Sequence, residues 1–481
     1  MTRFRKESTV TSSLLIMGGA VGEYGLALVS SIVLTRLMSV HDYGLVSFLL
    51  SPVWIVSTIC LFGLPFLFVC DVAKLEEKGR LAAVRGHLDR GLVIAVASSI
   101  IVTLLLVLAW TLRVLPDHNE ALLILAIYAS PASLMAFAGF VFTTLQRVRF
   151  AVASQLVLRL LTLVTVAGVY LATKNVVSAV GAAMVPLLLV AVIEWFLLRR
   201  IVPPISPEDA RVGYWEVLKR SASYGRWVVP QNVVAMAFMP AALWIVGFRS
   251  MTETAYLKIA FVLATMCSAP FVQLVSVLQQ RLSRFASYPG DDLLRTKGRE
   301  VQDLVMPIVL VVASLVIIVH RIGIQILYGP QYAQSSRHVM VLVPSVVFYI
   351  LFYLMTLVPN ARGRVDVTTK AYLAGFACFV ALAWVLVGPL GAIGAAWALL
   401  LSRVVASMII LSVFSRHVVF SARWLVALPL LLLALLVNWQ TIFIVPAVGW
   451  LVALIWTRRI HTLGLVDAVH SSSVEETVRA P

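Results

Sequence analysis

Charged side chains are scarce in this sequence, and several stand inside long apolar runs where each needs a reason. Arg159 and Arg403 lie well inside such runs, Glu23 lies midway along the first, and Glu194 lies towards the end of the sixth. Arg36 and Lys258 sit nearer the ends of the first and eighth. A charge at the centre of a bilayer costs about 2.5–3.5 kcal/mol on insertion scales, so such residues are functional candidates by default. A guanidinium is a planar fork of donors that matches phosphate or carboxylate oxygens, which makes Arg159 and Arg403 candidates to hold an anionic cargo. An internal partner such as Glu23 or Glu194, or snorkelling to the interface, explains the same residues structurally. Glu23 either cycles a proton or forms a fixed ion pair with an arginine, and Glu194, close to Arg199 and Arg200, reads as interfacial. The sequence holds no G-x-x-x-x-G-K-[ST] phosphate loop, no H-E-x-x-H and no metal-ligand cluster among its eight histidines. Cys60, Cys70, Cys267 and Cys378 show no C-x-x-C spacing. Binding rather than bond-making is the expected chemistry, with no enzyme activity and no metal or other cofactor.

The elements that must position these groups are membrane helices. Hydrophobic residues make up 61% of the chain and charged residues 12%, and the mean hydropathy is +0.98, far from the soluble range. Fourteen apolar stretches can each cross a bilayer, the first at 12–34 and the last two at 424–437 and 441–456. The loops between them alternate between basic and nearly charge-free: 29 of the 38 Lys and Arg fall on one side, 7 on the other and 2 inside apolar stretches. Short basic loops mark the cytoplasmic side, and an even number of spans puts both basic termini there. The net charge of +16 is therefore a topology signal with contact to anionic headgroups, and nucleic acid is not an expected partner. The N-terminal run lacks an evident small-residue cleavage site, so it reads as an uncleaved first span.

Three cytoplasmic connections, 71–90, 199–222 and 279–304, carry most of the charge. Within 213–222, apolar and basic residues alternate as in a short helix lying on the membrane or a solvated linker. The outer loops offer only Asp42, Asp117, Glu120 and Glu253 as acids, too little for a membrane glycan polymerase or ligase. Segments 37–44 and 248–255 echo each other, each with an acid two residues before a small residue where a new apolar run begins. The expected organisation is a six-helix bundle at 1–200, a second at 201–415, an extra helical hairpin at 416–457 and a tail at 458–481; paired six-helix halves around a cavity are a recurring transporter plan. Gly18, Gly22 and Gly25 predict close helix approach along one face. Pro52, Pro230, Pro240 and Pro270 predict interrupted backbone bonding mid-span, either for rocking or for a static cavity.

The run Leu34-Thr35-Arg36-Leu37-Met38-Ser39-Val40-His41-Asp42-Tyr43-Gly44 resembles the first-hairpin signature of polysaccharide-type flippases of the multidrug/oligosaccharidyl-lipid/polysaccharide exporter superfamily. Leu145-Gln146 before Arg147-Val148-Arg149-Phe150, Ile326-Leu327-Tyr328-Gly329-Pro330-Gln331-Tyr332 and Pro389-Leu390-Gly391-Ala392-Ile393-Gly394 extend the resemblance over almost the whole chain. The second-half hairpin departs from the family pattern at Thr254-Ala255-Tyr256-Leu257. The resemblance implies an all-α membrane protein with two MATE-like six-helix bundles, working by alternating access. It implies translocation of undecaprenyl-diphosphate-linked oligosaccharide across the bacterial inner membrane for O-antigen, capsule or exopolysaccharide synthesis, driven by a proton or sodium gradient, with membrane lipids and a polysaccharide polymerase as partners. In that frame Arg403, Arg159, Arg36 and Lys258 are candidates for the substrate cavity, Glu23 for ion coupling, and Asp71 and Arg226 for a cytoplasmic gate. A cation-coupled multidrug exporter and a lipid II flippase are the alternatives within the superfamily.

Overall fold

In lipid a chain must satisfy its backbone polar groups within itself, and long apolar runs do so as helices. The computed structural model describes residues 9–67, 81–145, 147–202, 213–285, 292–362 and 364–413. All regular structure among them is helical, and twelve helices are long and apolar enough to cross a membrane. The first six are α1 (Thr9–Leu37), α2 (Val40–Leu61), α3 (Leu81–Thr111), α4 (Asn119–Thr144), α5 (Val148–Thr173) and α6 (Val176–Ile201). The next six are α7 (Tyr214–Gly247), α8 (Met251–Phe285), α9 (Asp292–Leu327), α10 (Ser335–Ala361), α11 (Val365–Leu390) and α12 (Ala392–Val413). The two spans expected at 424–437 and 441–456, and with them the C-terminal hairpin, lie outside the described residues. Neighbours within α1–α6 pack α1 on α5, α3 on α4 and α4 on α6; within α7–α12 they pack α7 on α11, α8 on α10 and α10 on α12. The two sets meet chiefly where α8 runs along α1 and α2. The ends of the helices next to the basic connections are called the basic end below, and the opposite ends the far end.

Several local expectations change in the structure. Residues 214–222 are the first turns of a continuous 34-residue α7, neither a separate surface helix nor a linker, because Val217 is buried at its start while Tyr214 and Trp215 face outward. Pro52 does divide its span, into Val40–Leu50 and Val53–Leu61. Pro230, Pro240 and Pro270 are absorbed into unbroken helices. On α1 the close approach is made by Gly19 and Gly22, not by all of Gly18, Gly22 and Gly25. A Cβ on Gly19 would stand 2.6 Å from Val152, and one on Gly22 would stand 3.2 Å from Leu156, whereas Gly18 and Gly25 face open space.

The echo between 37–44 and 248–255 is a repeated capping device. Ser39 Oγ accepts from the Asp42 amide at 3.1 Å at the start of α2, and Ser250 Oγ accepts from the Glu253 amide at 3.2 Å at the start of α8. Each serine thus satisfies an otherwise orphaned first-turn amide. Each acid then ties its helix to a hairpin of its own half. Asp42 accepts from the Tyr170 hydroxyl at the end of α5 at 2.7 Å, and Glu253 accepts from the Ala392 amide at the start of α12 at 2.6 Å. Gly391, at φ 59°, leaves room for that carboxylate where any Cβ would collide with it. Asp42→Asn is expected to lower stability by about 1 kcal/mol, the difference between a hydrogen bond to a charged and to a neutral acceptor, read as a lower unfolding midpoint in detergent. An unchanged midpoint would contradict the tether.

Candidate functional site

Ala27, Ser30, Ser31 and Leu34 recur along α1 at a spacing that puts them on one helix face. That face, with Tyr43, Ser47, Ser51 and Trp54 of α2 and Leu158, Arg159, Thr162 and Val166 of α5, lines a cavity of about 320 Å³. The second half closes it through Met239 of α7 and through Lys258 and Val262 of α8. Two cations therefore face one chamber from opposite halves of the protein, Arg159 from the first and Lys258 from the second. Hydroxyls supply the rest of its polarity. Several are already engaged with their own helices, Ser47 donating to the Tyr43 carbonyl at 2.8 Å and Ser51 to the Phe48 carbonyl at 3.1 Å. Such side chains soften the wall without carrying charge.

Arg159 is held by the glycine contact described above. Val152, Leu156 and Arg159 follow one face of α5, and the first two seat against Gly19 and Gly22. The next residue on α1 after Gly22 is Glu23, and Arg159 donates to its Oε1 from Nη2 at 2.7 Å and from Nε at 3.3 Å. This is the ion-pair arrangement open for Glu23 in the sequence. The side chains keep 39% and 30% of their exposure, so the pair falls between the ~0–1 kcal/mol of an open ion pair and the ~3–5 kcal/mol cost of breaking a buried one. It is strong enough to position the guanidinium and weak enough to yield it to another anion. Tyr24, beside Glu23, lies within electrostatic range of Arg159 and of Tyr349 on α10.

Arg403 stands apart from that chamber's lining, inside the second half. Its Nη1 donates to both the carbonyl and the hydroxyl of Ser345 at 3.0 Å, and its guanidinium lies 4.8 Å from the centre of the Tyr349 ring. Tyr349 stacks on Tyr353 at 6.3 Å, and Phe352 packs edge-on against Tyr372 at 4.7 Å. Arg403 is thus a cation held over an aromatic face, an arrangement worth about 0.5–2 kcal/mol. If the chain works as the resemblance implies, Arg403→Ala is expected to cut transport while membrane insertion and protein level stay normal, measured by activity normalised to protein in the membrane. Full transport by that variant would remove Arg403 from the working site.

The far end of the chamber is shut. Tyr43 of α2 meets the Tyr332 ring edge-on at 6.3 Å, and Tyr256 and Tyr328 meet the same ring at 6.2 and 6.3 Å. Tyr43 also shares a hydrogen bond of 2.8 Å with Ser31. Tyr328 and Tyr332 are fully buried, and among the described residues neither hydroxyl has a hydrogen-bond partner. Burial pushes the Tyr328 phenol up to about 12 and raises that of Tyr332 as well, so both stay neutral. Arg36 does not enter the chamber; it caps the end of α9, donating to the carbonyls of Ile326 at 2.8 Å and Leu327 at 3.3 Å. Those carbonyls are the ones a helix end leaves unsatisfied. Beside this cluster Trp244 of α7 donates to the Phe48 carbonyl at 2.9 Å and stacks on its ring. Gly44 lies against the backbone of Met251 so closely that a Cβ would fall 1.8 Å from the Met251 oxygen.

Of the two gate candidates, Arg226 is exposed near the basic end of α7, and Asp71 lies outside the described residues. Glu194, read as interfacial, is buried and accepts from Ser154 Oγ near the start of α5 at 2.5 Å, and among the described residues its second oxygen has no partner. Among the described residues no group of His, Cys, Asp and Glu is arranged to hold a metal ion.

Residues 10–212 match the family described as "Polysaccharide biosynthesis protein". The first half therefore carries the polysaccharide biosynthesis family pattern. No curated protein is significantly similar to the sequence. Among solved structures, the lipid II flippase MurJ in an inward closed conformation aligns with TM-score 0.66 at 14% identity, over 93% of this chain and 99% of its own. An inward-facing multidrug resistance MATE family transporter of the MOP superfamily aligns with TM-score 0.64 at 14% identity, over 82% of this chain and 96% of its own. A MOP superfamily transporter from Pyrococcus furiosus, noted for reversed polarity of its binding pocket, aligns with TM-score 0.54 at 12% identity, over 84% and 94% of the two chains. The fold is MATE-like, and these neighbours are transporters or flippases rather than enzymes. The polysaccharide family segment contains Glu23, Arg36, Arg159 and most of the chamber wall; Lys258 and Arg403 lie beyond it.

Two features of the site were not picked out from sequence. One is the hydroxyl stripe on α1, which its spacing could have revealed. The other is the tyrosine closure, in which Tyr328 and Tyr332 stood only as letters of a family-like motif. Gly329 between them, at φ 97°, turns the chain so that both rings point inward.

Proposed function

We propose that this protein is a flippase that carries an undecaprenyl-diphosphate-linked oligosaccharide from the cytoplasmic to the periplasmic leaflet of a bacterial inner membrane. The basic end is then cytoplasmic, both termini lie there, and the far end faces the periplasm. The observation that carries the reading is the chamber lined by Arg159 and Lys258 from opposite halves, closed at the far end and set in a family-matched scaffold. A diphosphate is the anion that two such cations suit, and an organic drug cation would be repelled by them. The multidrug alternative is weaker for that reason.

In the proposed cycle the cargo's diphosphate competes with Glu23 for Arg159. Glu23, relieved of its partner, takes up the coupling cation, a proton or sodium ion. Rearrangement of the two halves then parts the tyrosine cluster and opens the periplasmic side. Arg403 with its tyrosines lies within reach of α1 through Tyr24 and would meet the sugar portion. The product feeds O-antigen, capsule or exopolysaccharide assembly by a polymerase. The test is deletion in the native host followed by analysis of lipid-linked repeat units. Units stranded on the cytoplasmic leaflet, with surface polymer lost, are expected. Units accumulating on the periplasmic leaflet, or an unchanged glycan profile, would contradict the proposal.

A further inference from the structure

A second cavity lies at the far end, away from the chamber. It occupies about 490 Å³ between the last turns of α9 and the first turn of α10, lined by His320, Arg321, Gln325, Gln334, Ser336 and Arg337 among others. From residue 304 to residue 365 the sequence holds no Asp or Glu. Arg321 and Arg337 are exposed, and among the described residues neither has an acidic partner. His320 is buried and fixed at both nitrogens, Nδ1 at 2.5 Å from the Ile317 carbonyl and Nε2 at 2.8 Å from Ser336 Oγ. It holds Ser336 in place on the cavity wall. The far-end connections are otherwise poor in cations, yet Arg321, Arg337 and the Arg36 cap all gather around one end of α9.

Guanidiniums without an acidic partner among the described residues, beside amide and hydroxyl groups at the far ends of two membrane-length helices, match the chemistry of a phosphate ester. Arginines that merely snorkelled would not need a shared cavity with a buried, doubly tethered histidine behind it. We propose that this pocket binds the phosphate headgroup of an anionic lipid in the outer leaflet. The site rests on the orientation proposed above and not on the identity of the cargo. Its ligand comes either from bulk phospholipid or from the phosphate end of a polyprenyl carrier.

The test is native mass spectrometry of the full-length protein in detergent, with phosphatidylglycerol, phosphatidylcholine and undecaprenyl phosphate as probes. Retention of phosphatidylglycerol over phosphatidylcholine is expected. The double variant Arg321→Gln/Arg337→Gln should weaken that retention by roughly tenfold or more, from the loss of two interfacial charges. Arg113→Gln, a far-end arginine outside the pocket, should leave it unchanged. Displacement of phosphatidylglycerol by undecaprenyl phosphate would assign the site to the carrier, and failure to displace it would assign it to bulk lipid. Equal retention of phosphatidylglycerol by the double variant and the parent, with both monodisperse, would overturn the site. So would equal retention of phosphatidylcholine. Neither result touches the transport reading, because no step of transport is measured.

Discussion

Arg159→Gln is expected to reduce transport by roughly tenfold or more, the scale of losing a half-exposed ion pair that falls between an open and a buried one, while the protein still inserts and folds. The reasoning starts from the contact of α5 with α1. Val152 and Leu156 are locked against Gly19 and Gly22, so helix packing survives the change and only the guanidinium is lost. What disappears is the cation that α5 presents to the chamber. Glu23→Gln separates the two roles open to the carboxylate. If Glu23 couples transport to an ion gradient, that variant binds cargo but loses its response to the gradient. If Glu23 only positions Arg159, the response persists and apparent affinity for cargo falls. Measuring transport with and without an imposed gradient in both variants distinguishes these outcomes. Wild-type rates in Arg159→Gln would remove the chamber from the mechanism.

The second large effect is expected at Gly44. A methyl group there would overlap the Met251 carbonyl, with its carbon only 1.8 Å from the oxygen, and backbone cannot retreat as a flexible side chain can. Gly44→Ala should therefore prevent α2 from closing on α8 and hold the far end open. Loss of transport should accompany new access to the tyrosine cluster. A cysteine in place of Tyr328, which is fully buried when the far end is shut, is the reporter. It should resist a membrane-impermeant thiol reagent in the parent and react in the Gly44→Ala background. Protection in both backgrounds would show that the halves do not part here. Arg36→Ala, which removes only the cap on α9, should shift the same reporter less.

The membrane character of the chain was legible because spans are set by composition and length, and the basic loops repeat on alternate connections. The mid-span charges were legible for the same reason: Glu23 and Arg159 stand out against apolar neighbours, and their pairing was one of two arrangements open to them. What could not be read is the rotation of each helix about its axis. Gly18, Gly22 and Gly25 look like one face of α1, yet the face that meets α5 is that of Gly19 and Gly22, a choice made by where Val152 and Leu156 sit. At the start of α7 a helix was one of two readings, but its continuity with the span was not legible because its surface is polar; burial of Val217 holds it in the same helix. The tyrosine closure joins residues from 43 to 332, a separation over which local periodicity carries no information. The capping serines, by contrast, act within three residues, which is why the echo between 37–44 and 248–255 was visible before its tethers were.

The most direct measurement of the central claim is translocation by the purified protein in proteoliposomes. Undecaprenyl-diphosphate-linked oligosaccharide would be placed in both leaflets and its accessibility to an added glycosidase followed in time. The account predicts exchange between leaflets that depends on the protein, accelerates under an imposed proton or sodium gradient, and fails in Arg159→Gln. Exchange no faster than in protein-free liposomes, in a preparation shown to be folded and inserted, would contradict it.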